Sequence, residues 1–169
     1  MKQLRETDLG KIEALADIRE DENIRFRTFL KGKNSEDVDE IVHRLHSEIT
    51  REIDCTQCGN CCIELNPEVH SDDIERYAKL DGISTEEYKN QFCEKDEFED
   101  NICFKNRPCR YLKGKECSIY EIRPQNCRMY PYTQEDRFIS RLWQMLSCYS
   151  MCPIVFNLME ELKDEMRFR

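Results

Sequence analysis

Apolar residues in the first third of the chain recur at helical intervals. Ile12, Leu15, Ala16 and Ile18 make a short apolar face, and Phe26, Phe29 and Leu30 follow it. Lys31-Gly32-Lys33-Asn34 reads as a break. Ser35 is the expected N-cap of the next helix, with Glu36 and Asp37 in a first turn that favours negative charge. Val38, Ile41, Val42, Leu45, Ile49 and Ile53 then fall three or four apart, which predicts a helix running straight into Cys55. Ile74, Tyr77, Ala78 and Leu80 predict a short helix opening at Ser71 or Asp72. Ser84 with Glu87 has the form of a capping box, so another helix begins there. Residues 94–104 read as acidic and irregular. At the far end Ile154, Val155, Leu158, Met159, Leu162 and Met166 form the stripe of a final amphipathic helix, a core face rather than a cofactor box.

Composition points the same way. Charged residues make up 36% of the 169 and only five glycines are present, a balance that favours helices over turns and strands. The expected fold is mostly α: a single small domain, residues 1–169, of helices around irregular Cys-rich metal-binding loops. Its parts are a helical stretch over 1–54, a cysteine-rich stretch over 55–152 and a C-terminal helix over 153–169. The first residues, Met1 to Asp8, carry no apolar run of the secretory kind, and no window approaches a membrane span of roughly 18 apolar residues. The expected location is therefore the cytoplasm, with no membrane partner.

That location gives the 11 cysteines their meaning, because grouped thiols in a reducing compartment more often bind metal or do redox chemistry than form disulfides. A formal charge of -9 argues against nucleic acid as a partner. The charge is uneven: Lys105 to Arg141 holds nine basic residues against four acidic ones. Such a region either is a solvated face or offsets a metal–thiolate centre and meets an anionic ligand.

The strongest local signal is Cys55-Thr56-Gln57-Cys58-Gly59-Asn60-Cys61-Cys62. Two residues between sulfurs let the chain turn both thiolates toward one metal, and here the step is taken twice. Gly59 relieves the backbone where the loop must fold back. Cys61 and Cys62 are adjacent, so they serve two sites, or one stands behind the other. Cys109 follows Pro108; Cys117 and Cys127 flank Arg123-Pro124. Arg110, Arg123 and Arg128 lie among them, as charge compensation for thiolates or as a clamp on a substrate carboxylate. Cys148 and Cys152 precede Pro153, which suits a first helical position and makes Cys152 the N-cap. These nine cysteines are the candidate metal ligands, enough for two four-thiolate sites. Cys93 and Cys103 stand apart and read as non-ligand thiols, while His43, His46 and His70 read as packing or polar-face residues.

Taken together, C-x-x-C-G-x-C-C at Cys55–Cys62, P-C-x-x-L at Pro108–Leu112 and C-x-I-Y-x-x-R-P-x-x-C-R-x-Y-P at Cys117–Pro131 resemble the YkgJ family of zinc- or iron-chelating cysteine-cluster proteins. The paired cysteines and the C-x-x-L segment are also distantly similar to flagellin lysine methylases. The first resemblance implies a bound metal. The second implies a [4Fe-4S] cluster and admits methyl transfer with S-adenosylmethionine. The leading expectation is a [4Fe-4S]-type protein of electron-transfer or catalytic role, with a small anionic substrate or a redox partner protein. The alternative is a structural zinc module that binds a protein partner through its basic face. Metal delivery or thiol redox chemistry is a third.

Overall fold

Most of the hydrophobic spacing of three and four becomes helix, with Ile53 and Met166 just beyond the helix ends. The computed structural model describes residues 4–96 and 100–169. Among them are nine α-helices and two small two-stranded sheets, a mostly α fold as the composition predicts. Contacts divide the chain into two compact units, one made of the residues up to Asp54 with Pro131–Arg169 and the other of Cys55–Tyr130. The segment bearing Cys148 and Cys152 thus belongs with the first.

The first unit contains α1 (Leu9–Ile18), α2 (Glu20–Lys31) and α3 (Ser35–Thr50). It also contains α8 (Leu142–Tyr149) and α9 (Pro153–Glu165), and α3 packs along α9. Helix α9 is buried on more than one stripe: Val155, Leu158, Met159 and Leu162 are fully enclosed, and Phe156, Asn157 and Lys163 are buried with them. Polar groups there are paired, as burial requires. The Asn157 amide donates to the carbonyls of Glu6 and Pro153, both at 2.7 Å, and accepts from the Glu6 N–H at 2.9 Å. Lys163 Nζ lies 2.7 Å from Glu160 and 3.1 Å from Glu22.

Three expectations shift in this unit. Asn34, not Ser35, caps α3, its side chain accepting from the N–H groups of Glu36 and Asp37. Asparagine caps as well as serine does, and the extended backbone needed falls at residue 34. Helix α3 stops at Thr50, so Ile53 is buried from a turn and not from a helix face. Ile18 is 78% exposed, because α1 ends there and only Ile12 of that helix is fully enclosed.

The second unit holds α4 (Asn60–Glu64), α5 (Ser71–Asp81), α6 (Thr85–Phe92) and α7 (Gln125–Met129). Ser84 caps α6 as expected, accepting from the Glu87 N–H at 3.2 Å. His70 precedes α5, its N–H reaching Asp73 Oδ2 at 3.4 Å. The stretch expected to be irregular contains an antiparallel pair, β1 (Cys93–Lys95) with β2 (Ile102–Phe104), Cys93 facing Phe104. Burial explains the pairing: Cys93 and Phe104 join Tyr77, Tyr88, Tyr111 and Ile119 in the unit's core. A second hairpin pairs β3 (Leu112–Lys113) with β4 (Glu116–Cys117). Buried phenols pin this core, with Tyr88 and Tyr111 sharing a 2.7 Å hydrogen bond and Tyr77 donating to the Ile122 carbonyl at 2.7 Å. No helix among the described residues is long and apolar enough to cross a membrane.

Candidate metal centre

The double C-x-x-C step folds as its glycine predicts. Cys55–Gln57 forms a 3-10 turn, and the N–H groups of Cys58 and Gly59 return to the Cys55 carbonyl. Gly59 adopts φ 68°, the left-handed region, and opens α4. A Cβ at this position would meet the Lys115 carbonyl oxygen at 2.7 Å. Only glycine therefore lets the first loop lie against the turn of the β3–β4 hairpin. The Cys62 N–H accordingly reaches the Gly59 carbonyl at 3.0 Å, starting the short helix that carries both Cys61 and Cys62.

Three other elements bring thiols toward Cys62. The Cys109 N–H donates to the Cys62 carbonyl at 2.7 Å, which ties the segment after Pro108 to α4. Cys117 ends β4, and Cys127 sits in the middle of α7. Tyr77 holds the approach to α7 through the Ile122 carbonyl.

The protonation of these thiols reports their proximity. Burial raises the pKa of Cys127 most, and the charges of Cys62, Cys109 and Cys117 add to it, taking it to about 12. Burial also pushes up Cys109 and Cys117, with Cys62 repelling each of them. Cys62 moves the other way, lowered to about 7 because the Cys61 side chain donates a hydrogen bond to it. The adjacent cysteines thus do not diverge: one sulfur stabilises the anionic form of the other. Four thiols from four elements are within electrostatic reach of one another, and Arg123 lowers the pKa of both Cys117 and Cys127.

A cation among such groups would relieve both burial and mutual repulsion by taking the protons' place, so the donor set fits a thiophilic metal. Among the described residues, no three Cys, His, Asp or Glu side chains are already drawn into a group that grips a single ion.

Of the remaining predicted ligands, Cys61 hydrogen-bonds to Cys62, and Cys55 opens the 3-10 turn that packs against β4. Cys55 is exposed and Cys58 and Cys61 half-buried on the first loop. Cys148 and Cys152 are buried in the first unit, with Cys152 as N-cap and Pro153 at the start of α9. Cys93 and Cys103 are buried in the β1–β2 pair. His46 Nδ1 is 2.7 Å from the Thr133 hydroxyl, and His43 lies 3.8 Å from Asp136.

The three arginines are engaged locally. Arg110 pairs with Asp81 at 2.7 Å and lies 3.6 Å over the Phe92 ring. Arg123 covers the Tyr120 ring at 3.7 Å, and Arg128 donates to the carbonyls of Arg123 and Glu121. Nothing in the sequence marks Tyr77 or Lys115 as parts of this centre: Tyr77 has the spacing of any helix-packing residue, and Lys115 matters only through its backbone.

No curated protein and no solved structure matches the chain, so the distant similarity to flagellin lysine methylases finds no counterpart there. The family comparison does match, over residues 54–153, which spans the first loop and all four clustered thiols. By that match the chain belongs to the CxxCxxCC family, "Putative zinc- or iron-chelating domain", and is a metal-binding protein.

Proposed function

We propose that this protein is an iron–sulfur protein of the [4Fe-4S] type, with Cys62, Cys109, Cys117 and Cys127 as thiolate ligands. The observation that carries this reading is the mutual electrostatic reach of these four thiols. Four cysteine thiolates are the usual ligand set of a [4Fe-4S] cluster. When bound, such a cluster supplies one-electron transfer or, with an open iron position, Lewis-acid chemistry.

The chain's own residues prepare the site. Cys61 holds Cys62 toward its thiolate form. Arg123 offsets negative charge at Cys117 and Cys127. The aromatic core of Tyr77, Tyr88, Phe104 and Tyr111 lies in the same unit and limits water on that side. Cys55, Cys58 and Cys61 of the first loop, Cys148 of α8 and Cys152 at the N-cap of α9 are proposed as further ligands. The expected setting is the cytoplasm, with a redox partner protein or a small anionic substrate.

A structural zinc centre is the second reading, favoured by the number four, which closes one tetrahedral shell. Visible spectroscopy of anaerobically purified protein separates the two. A brown sample that bleaches with dithionite supports the cluster; a colourless sample with stoichiometric zinc overturns it.

A further inference from the structure

A feature of the first unit that involves none of the cysteines is a cationic cleft. A cleft of about 570 Å³ opens there, lined on its polar side by Arg27 and Lys31 of α2, Lys33, Arg137, Ser140 and Trp143. No carboxylate lines it, and none of the four cations is in an ion pair among the described residues. In a chain of formal charge -9, four unneutralised cations in one concavity call for an anionic occupant.

The details point to a ligand with both charge and a ring. Arg27 stacks its guanidinium 4.0 Å from the Trp143 ring, which fixes both side chains, and its Nε is buried without a hydrogen-bond partner. Trp143 is nonetheless 58% exposed, so it offers apolar ring surface to the cleft. Lys33 Nζ rests 4.2 Å from the Phe29 ring. Arg137 adopts φ 62°, a left-handed conformation that costs any residue with a Cβ, and Asp39 holds it there. The Asp39 carboxylate accepts from the N–H of Arg137 at 2.7 Å and of Phe138 at 2.8 Å. A glycine would satisfy that turn at lower cost, so the arginine sits there against its backbone preference. Glu36 and Asp37 occupy the nearby first turn of α3 but do not line the cleft.

We propose that this cleft binds a nucleoside di- or triphosphate, the phosphates on Arg27, Lys31, Lys33 and Arg137 and the base against Trp143. Each phosphate group carries about one to two negative charges at neutral pH, so a chain of two or three matches four cations. The volume lies within the roughly 300–1,000 Å³ of small-molecule sites.

Trp143 is the single tryptophan of the chain, so its fluorescence reports on this site alone. The 169-residue chain with its metal bound is titrated with ATP, ADP, adenosine, inorganic tripolyphosphate and a short oligothymidylate, with calorimetry in parallel. ATP and ADP should change the emission saturably, binding should weaken with added salt, and tripolyphosphate should bind about tenfold more weakly than ATP. Lys31→Ala and Arg137→Gly should each weaken ATP about ten- to a hundredfold. Arg137→Gly should keep the melting temperature or raise it, since glycine relaxes the strained φ, so a loss of binding there is not a loss of fold. An absent ATP response, or an Arg137→Gly variant that binds like the parent, overturns the site. Tripolyphosphate as tight as ATP, or an oligonucleotide tighter than ATP, overturns the free-nucleotide assignment.

Discussion

At the scale of single residues, Gly59 and the clustered thiols carry different burdens. Gly59→Ala would force a Cβ into the left-handed region and against the Lys115 carbonyl. The expected cost is about 2–4 kcal/mol, combining left-handed strain with an overpacked contact. It should appear as a lower melting temperature and as sub-stoichiometric metal, because the clash pushes the first loop off the β3–β4 turn. Cys93 gives the contrasting outcome. It is 6% exposed in the Tyr77–Tyr88–Phe104 core. Cys93→Ala should cost about 1 kcal/mol of packing and leave the metal content of the purified protein unchanged. A Cys93 variant that loses its metal would move that thiol into the ligand set.

Among elements, α9 anchors the first unit, and its Asn157 secures the segment before α1. Asn157→Ala would leave the Glu6 N–H and carbonyl without these partners, at a cost of about 2–4 kcal/mol. Hydrogen exchange at the Glu6 amide should accelerate strongly while the cores of α3 and α9 stay protected. Helices such as α3 and α9 were legible in sequence because one apolar stripe at period 3.6 survives any tertiary setting. Their ends were less so: Asn34 and Ser35 are equally good caps, and only the backbone turn chooses between them. The β1–β2 pair was illegible because its strands are three residues long, too short for alternation to register, and their pairing depends on burying Cys93 and Phe104. Nine cysteines could be named as ligands from spacing, but no spacing rule selects Cys62 over Cys61 as the companion of Cys109, Cys117 and Cys127. What brings Cys109 to Cys62 is a backbone hydrogen bond, a contact across 47 positions of sequence. The cationic cleft was hidden for a related reason, since its charges come from α2, the α2–α3 turn and the segment before α8.

For the molecule as a whole, the thiol pKa values set how stability and metal uptake respond to pH. In the metal-free protein Cys62 is lowered to about 7 from an ordinary 9.0. It contributes stability that is complete above pH 9 and lost as pH falls through about 7. Cys127 is raised from 9.0 to about 12, so its contribution is complete below pH 9 and lost as pH rises toward about 12. The thiol contribution to stability in denaturant titrations of the metal-free chain should therefore be greatest near pH 9. Metal uptake should have the sign of Cys127, Cys109 and Cys117. Each thiol that gives up a proton on binding makes the apparent affinity rise about tenfold per pH unit below its pKa. Proton release measured on loading should accordingly approach the number of raised thiols at neutral pH.

The central claim is that Cys62, Cys109, Cys117 and Cys127 together hold the metal. Its most direct test is the anaerobic determination of iron, sulfide and zinc in the parent protein beside Cys109→Ala and Cys127→Ala. The parent should carry iron and sulfide in equal amounts, close to four of each per chain for the proposed cluster, and both variants should lose most of that content. A folded parent empty of iron and zinc, or variants that keep the full complement, would contradict the account.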